Sequence, residues 1–346
     1  MSASSATSPA RSRGLGVAAG STAPRRMGIG LVLGAGGTTG AAFHAGTLLA
    51  LQQDLGWDPN TADVIVGSSA GSIVGGLLRA GLTTDDLSAW GTSVPALPGG
   101  RASRELLNDV EAQPHRLRPS RPRLPIPSTA LLRRLLHPSQ LRMHTAAVSL
   151  LPHGWINAAP SLERIGDLLD EWPARELWVT AVRTSDARRV VFGRDDVDVS
   201  LGRAIAASCA IPAVFRPVAI GRHRYMDGGA HSPTNADLLV DAGVDTVVIL
   251  SPMSGKAGAL RHHRPDHLLR SLFSRRLRSE CAQLERAGME VHIFEPDAAT
   301  LDMMGVNALD RRRSPRVLRD AFLAAGTHIT DHEPLRKRLL AQPAVE

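Results

Sequence analysis

The chain has 346 residues, 43% of them hydrophobic, 21% charged and 3% aromatic, enough to bury a sizeable core as one large domain or one domain with appendages. Two cysteines, Cys209 and Cys281, with no C-x-x-C pair, exclude a disulfide framework and a dithiol or zinc motif, and favour a cytoplasmic setting. The net charge of +7 rests on 38 arginines with only Lys256 and Lys337 beside them, and a charge equal to all of it falls between Ala112 and Leu162, an asymmetry that points to an anionic partner.

Residues 1–26 carry four arginines and no acid among Ser, Ala and Pro, and are expected to form a disordered basic tail with no signal peptide. The uncharged stretch from Met27 to Gln53 is long enough to span a bilayer. Its clustered glycines and threonines favour strand, loop and helix instead: a buried strand over Ile29–Leu33, a glycine loop, then a helix over Ala41–Gln53. A second strand is predicted over Asp63–Val66 and a helix from about Ala70 to Arg79, giving a βαβα opening and hence a mostly parallel sheet with helices on both faces.

Residues 93–160 interrupt this pattern with many prolines, among them Pro114, Pro119, Pro122, Pro125, Pro127, Pro138, Pro152 and Pro160, and read as an insertion. From Ala112 to Leu162 there is no acid, while Arg116, Arg118, Arg121, Arg123, Arg133, Arg134 and Arg142 contribute +7. Interspersed leucines (Leu131, Leu132, Leu135, Leu136, Leu141) suggest a lid or a peripheral contact with an anionic membrane. The alternative is a solvated loop with its leucines packed on the core. No nucleic acid is expected, because no nucleic-acid motif accompanies the arginines and Tyr225 is the single tyrosine. Further strands are predicted over Leu177–Val182, Arg189–Phe192, Thr246–Leu250 and Glu290–Phe294, and a helix from about Arg316 to Ala325.

Gly67-Ser68-Ser69-Ala70-Gly71 matches G-x-S-x-G. The string alone is weak, but its place between a strand and a helix would set Ser69 on a sharp turn with its hydroxyl exposed and the helix N-terminus behind it. A plain helix N-cap is the alternative. The loop Gly34-Ala35-Gly36-Gly37-Thr38-Thr39-Gly40 lacks the Gly-Lys-Ser/Thr of a P-loop and places Thr39 where a dinucleotide fingerprint needs glycine. An oxyanion hole formed by the amides of Gly36, Gly37 and Thr38 is the reading left standing. Among acids, Asp227 alone sits in a recognisable segment, Met226-Asp227-Gly228-Gly229, preceded by Ser208-Cys209-Ala210-Ile211-Pro212-Ala213-Val214-Phe215. His231 is a weaker candidate base. Cys209 reads as a packed small hydrophobe, His44 as structural, Asp195, Asp196 and Asp198 as a polar turn, and His262, His263 and His267 as a solvated loop.

These three segments, in this order, resemble the patatin-like phospholipase family over roughly residues 27–255. The resemblance implies a three-layer α/β fold, Ser69 as nucleophile, Asp227 as its base in a dyad without histidine, and the glycine loop as oxyanion hole. It implies a lipid ester as substrate and no cofactor or metal. Residues 256–346 would complete the α/β domain. Two departures stand out: Thr39 replaces the arginine or lysine common in the family, and Ala35 replaces a glycine, which puts a phospholipid preference in question. A catalytically weak lipid-binding or regulatory protein that keeps the fold is the competing function.

Overall fold

The computed structural model describes residues 28–92, 171–260 and 264–340, with parts of 145–163 between them. The expected basic tail and most of the Pro/Arg-rich insertion, including its seven arginines and five leucines, lie outside the described residues.

The chain opens with β1 (Ile29–Leu33), α1 (Gly37–Leu55), β2 (Val64–Gly67), α2 (Ala70–Arg79) and α3 (Thr84–Thr92). After the short α4 (Ala159–Glu163) come β3 (Glu176–Arg183), β4 (Arg188–Phe192), α5 (Leu201–Ser208), β5 (Val218–Ile220), β6 (His223–Asp227) and β7 (Thr246–Leu250). The C-terminal part supplies α6 (His267–Arg286), β8 (Glu290–Phe294), α7 (Ala298–Met304), α8 (Ser314–Asp331) and α9 (Glu333–Leu340). Among the described residues, no helix is long and apolar enough to cross a membrane.

Among the described residues, one sheet carries all eight strands, in the order β5-β6-β3-β2-β1-β7-β8, with β4 also on β3. The pairs β8/β7, β7/β1, β1/β2 and β2/β3 are parallel; β3/β4, β3/β6 and β5/β6 are antiparallel. Side-chain alternation splits the core into two layers. Ile29, Leu31, Leu33 and Ile65 face α1, α2, α5 and α8, whereas Val32, Val64, Val66, Val247 and Ile249 face Leu277, Cys281 and Leu284 of α6. This is the expected mostly parallel sheet between two helical layers, and α6 and β8 belong to it structurally.

The placement of β2 and β6 governs everything that follows. Strand β3 pairs with β4 along one edge through Val179–Arg183, and Val179 also pairs with Gly67 of β2. The opposite edge of β3 is therefore shared: β2 occupies it up to Val179, and β6 occupies it from Ala181 to Arg183. The two strands run in opposite directions in one lane, so their C-terminal ends meet across Thr180.

Candidate active site

Strand β2 ends at Gly67, and two residues later Ser69 adopts φ 52°, ψ −118° immediately before α2. A positive φ is strained for any residue with a Cβ, and the surroundings hold it in place. Ser69 N–H donates to Ser208 Oγ (2.9 Å), and its carbonyl accepts from Ser72 N–H (2.9 Å) and Ser72 Oγ (2.7 Å). The flanking glycines are needed for close approach: a Cβ on Gly67 would lie 2.6 Å from Ser72 Cα, and one on Gly71 would run into the Leu33 carbonyl. The G-x-S-x-G turn is a strand-to-helix elbow, as its context predicted.

Asp227 terminates β6 and faces the elbow from the other end of the lane. Its carboxyl accepts Gly229 N–H at 2.7 Å and is a hydrogen-bond partner of the Ser69 hydroxyl. Both residues are nearly closed to water, Ser69 at 4% and Asp227 at 5% exposure. Burial raises the Asp227 pKa from 3.8 to about 6, against the pull of the Ser69 and Gly229 hydrogen bonds. A carboxyl so poised is a far better proton acceptor near neutrality than an aspartate in water. Gly228 fits where it does because a Cβ would strike Thr180.

The glycine loop follows β1 and is shorter than expected. Gly37 already begins α1, so Gly37, Thr38, Thr39 and Gly40 form its first turn, not a free loop. Their first N–H groups are therefore the ones a helix leaves without intrahelical acceptors. Among the described residues, no acceptor takes the N–H groups of Gly36, Gly37 or Thr38. The loop is held from outside. Gly34 N–H donates to Leu250 O (3.0 Å), Ala35 N–H to Pro233 O (2.8 Å) and Thr39 N–H to Ala308 O (3.1 Å), while Thr38 Oγ1 also reaches Ala308 O (3.0 Å). The Pro252 ring covers Gly36 and Gly40 so closely that a Cβ on Gly36 would lie 2.8 Å from it. Ala35 Cβ abuts Gly229, 3.1 Å from where a Cβ there would sit, which brings the loop to the aspartate turn. Thr39 is buried against the Ala308 carbonyl.

His44 is structural, as read from sequence: fully buried, with its pKa lowered to about 4 by burial, it is neutral and its Nε2 lies 2.7 Å from the Gly34 carbonyl. His231 follows the turn after Asp227, bonding Gly228 O through its main-chain N–H. Asp195 forms the expected polar turn, its Oδ2 accepting Val191 N–H at 3.0 Å. His262 and His263 lie outside the described residues, and His267 opens α6 rather than lying in a loop. Cys209 is packed, as expected, but against the elbow: its thiol neighbours the Ser72 and Ser69 hydroxyls, and burial together with the Asp227 charge pushes its pKa up.

Sequence reasoning missed Asn235. It is fully buried at φ 54°, and its Nδ2 lies within reach of Ser232 O (2.6 Å), Ser68 Oγ (3.0 Å), Thr180 Oγ1 (3.3 Å) and Gly228 O (3.4 Å). Ser68 Oγ and Thr180 Oγ1 are themselves 2.8 Å apart. One amide thus ties the elbow, the β3 gap and the aspartate turn together. The adjacent Thr234 hydroxyl (2.6 Å) and Ala236 N–H (3.0 Å) both donate to Glu280, a buried carboxylate on α6. Its positive φ, which an asparagine tolerates, is visible only in the fold.

The family of patatin-like phospholipases matches residues 31–240. Relatives include proteins described as uncharacterized NTE family proteins of Mycobacterium bovis and Mycobacterium tuberculosis, 28% identical over 251 residues that cover 71% of this chain and 54% of theirs. The chain spans about half the length of the curated relatives it matches. Among solved structures, VipD from Legionella pneumophila aligns with a TM-score of 0.42 at 14% identity, covering 90% of this chain and 68% of its own. The type III effector ExoU aligns with a TM-score of 0.33 at 16% identity, covering 91% and 54% respectively.

Proposed function

The chain belongs to the patatin-like phospholipase family, and from that premise we propose that it hydrolyses carboxylic ester bonds of lipids through an acyl-enzyme on Ser69. The observation that carries this reading is the meeting of the Ser69 hydroxyl with a desolvated Asp227 carboxyl whose pKa lies at about 6. Asp227 accepts the Ser69 proton as Oγ bonds to the ester carbonyl carbon. The oxyanion so formed is stabilised by the N–H groups of Gly36, Gly37 and Thr38, which start α1 and carry its positive end. The tetrahedral species collapses to the acyl-enzyme, and Asp227 returns the proton to the departing alcohol. Water, deprotonated by Asp227, then attacks the acyl-enzyme, and Asp227 returns that proton to Ser69 Oγ as the acid leaves. This scheme uses no histidine, metal or cofactor.

The test is covalent labelling with a fluorophosphonate probe, followed by hydrolysis of a chain-length series of nitrophenyl esters. Labelling that disappears in Ser69→Ala, together with turnover that increases with acyl length, supports the scheme. Undiminished labelling or turnover in Ser69→Ala overturns it.

A further inference from the structure

Soluble proteins scatter single apolar side chains over their surfaces; contiguous patches of them mark contact sites. Nine large hydrophobic residues are exposed among the described residues, and six fall in two segments. Leu268 (75% exposed), Leu269 and Leu272 (54%) lie on the first turns of α6, and Met303, Val306 (59%) and Leu309 lie at the end of α7 and just beyond it. The segments are tied together: Arg264, just ahead of α6, pairs with Asp302 of α7 at 2.7 Å.

Both segments back onto the glycine loop. Ala308, between Val306 and Leu309, is the residue whose carbonyl holds Thr38 and Thr39. Leu309 Cδ2 lies 3.1 Å from where a Cβ on Gly37 would sit. From α6, Arg270 reaches the carbonyls of Pro252 (2.9 Å) and Ser254 (3.2 Å), behind the proline that covers Gly36. The same stretches are strongly basic. Residues 264–278 and 298–319 hold ten arginines and three aspartates; Arg264 and Arg270 are engaged with Asp266, and Arg276 and Arg278 with Glu280 and Glu295, while Arg275, Arg312, Arg316 and Arg319 are exposed.

We propose that this face docks the protein on an anionic lipid bilayer, its aliphatic tips entering the interface and its arginines meeting headgroup phosphates. The proposal rests on the lipid-ester reading above and adds where the lipid arrives: at the glycine-loop side of Ser69. Charge complementarity selects the occupant. A protein partner's interface core is depleted in charge and rich in aromatics, whereas apolar tips ringed by cations are what an anionic interface holds.

The experiment is sedimentation of the full chain with vesicles of phosphatidylcholine alone or mixed with phosphatidylserine. Ser69→Ala is run beside the wild type so that binding is read without turnover. Binding to the mixed vesicles is expected to fall about tenfold as salt is raised from about 0.05 to about 0.5 M. It should also fall about tenfold or more in Leu268→Glu/Leu272→Glu, in Val306→Glu and in Arg312→Glu. Turnover of a water-soluble ester should stay within about twofold of wild type in these variants, since each changed side chain faces solvent. Vesicle binding unchanged in all three overturns the proposal and moves docking elsewhere, residues 112–162 included. Loss of a concentration-dependent dimer, or a large drop in melting temperature in place of lost vesicle binding, also overturns it, in favour of a second copy or of the chain's own cover. Failure of the hydrolase reading would show separately, as absent soluble-ester turnover in the wild type.

Discussion

The Ser69 elbow and the glycine loop follow neighbouring parallel strands whose last residues, Gly67 and Leu33, pair directly, yet they are held in different ways. The elbow is held partly from within. Gly67, Gly71 and Ser72 lie within three residues of Ser69, while Ser208, Asn235, Thr180 and the Leu33 carbonyl add hydrogen bonds to the turn at Ser69 and Ser68. The glycine loop is held almost entirely from outside, by Pro233, Leu250, Pro252 and Ala308, all about 200 residues or more further along the chain. A strained turn can be written into five residues because backbone sterics act between neighbours. A set of N–H groups aimed outward needs its other side supported, and that support comes from the C-terminal half.

The largest effect should come from the elbow itself. Ser69→Ala and Asp227→Asn should each lower kcat for ester hydrolysis by about a thousandfold or more, with the double variant little worse than either, because members of one catalytic unit act non-additively. Nitrophenyl ester kinetics measure this; additive losses would mean that the two residues act in separate steps. Next comes the externally held loop. Gly37 has φ +60°, and a Cβ there would lie 2.6 Å from Ala308 O, so Gly37→Val should displace the loop without touching the elbow. Loss of one oxyanion donor costs about 2.7–4 kcal/mol, and kcat should fall by that measure while KM changes little. A Gly37→Val enzyme with normal kcat would show that the loop is not a transition-state device.

Asn235 is where the two modes of support overlap. Asn235→Ala removes the amide shared by Ser68, Thr180, Gly228 and Ser232, and leaving such groups buried without partners costs about 1–3 kcal/mol each. Lower stability in urea should accompany a kcat reduced about ten- to a hundredfold. Full activity in a destabilised variant would assign Asn235 to the fold alone. The pH profile is a milder probe. With the Asp227 pKa at about 6, kcat/KM should rise about tenfold per unit below pH 6 and level off above it.

The smallest effect concerns stability. The folded-state pKa of Asp227 lies above its ordinary value of 3.8, so the folded protein binds more protons than the unfolded chain between about pH 4 and pH 6. Stability is lost as pH rises through that window. Asp227→Asn abolishes this loss, and its advantage over wild type should grow across the same window to at most about 3 kcal/mol. Denaturation at pH 4 and pH 8 reads the difference; an advantage independent of pH would place its origin elsewhere.

Much of the sheet was legible. The predicted strands at Ile29–Leu33, Thr246–Leu250 and Glu290–Phe294 coincide with β1, β7 and β8, because strands flanked by a helical layer on each face are short runs dominated by apolar residues. The helix at Ala70–Arg79 was legible for a similar reason, as an apolar run opened by the elbow glycines. Strand β6, His223–Asp227, was not: its polar half and antiparallel course leave no apolar run, so the aspartate motif was visible while its strand was hidden. The arginine-rich α6 was hidden too, because only its buried stripe, Leu277, Cys281 and Leu284, faces the sheet.

The amino-acid sequence by itself determined the local devices: glycines where backbones must touch, a serine between strand and helix, and an aspartate followed by two glycines. Composition and spacing record these residues directly, although the backbones that Gly71 and Gly228 approach, at Leu33 and Thr180, lie far along the chain. Only the tertiary structure decided that Asp227 faces Ser69, since that depends on β2 and β6 sharing one edge of β3 in opposite directions. It alone decided that Asn235 joins their two turns and that Ala308 and Pro252 shape the glycine loop. Those relations connect residues far apart in the chain through strand direction and burial, and neither is a property of any short segment.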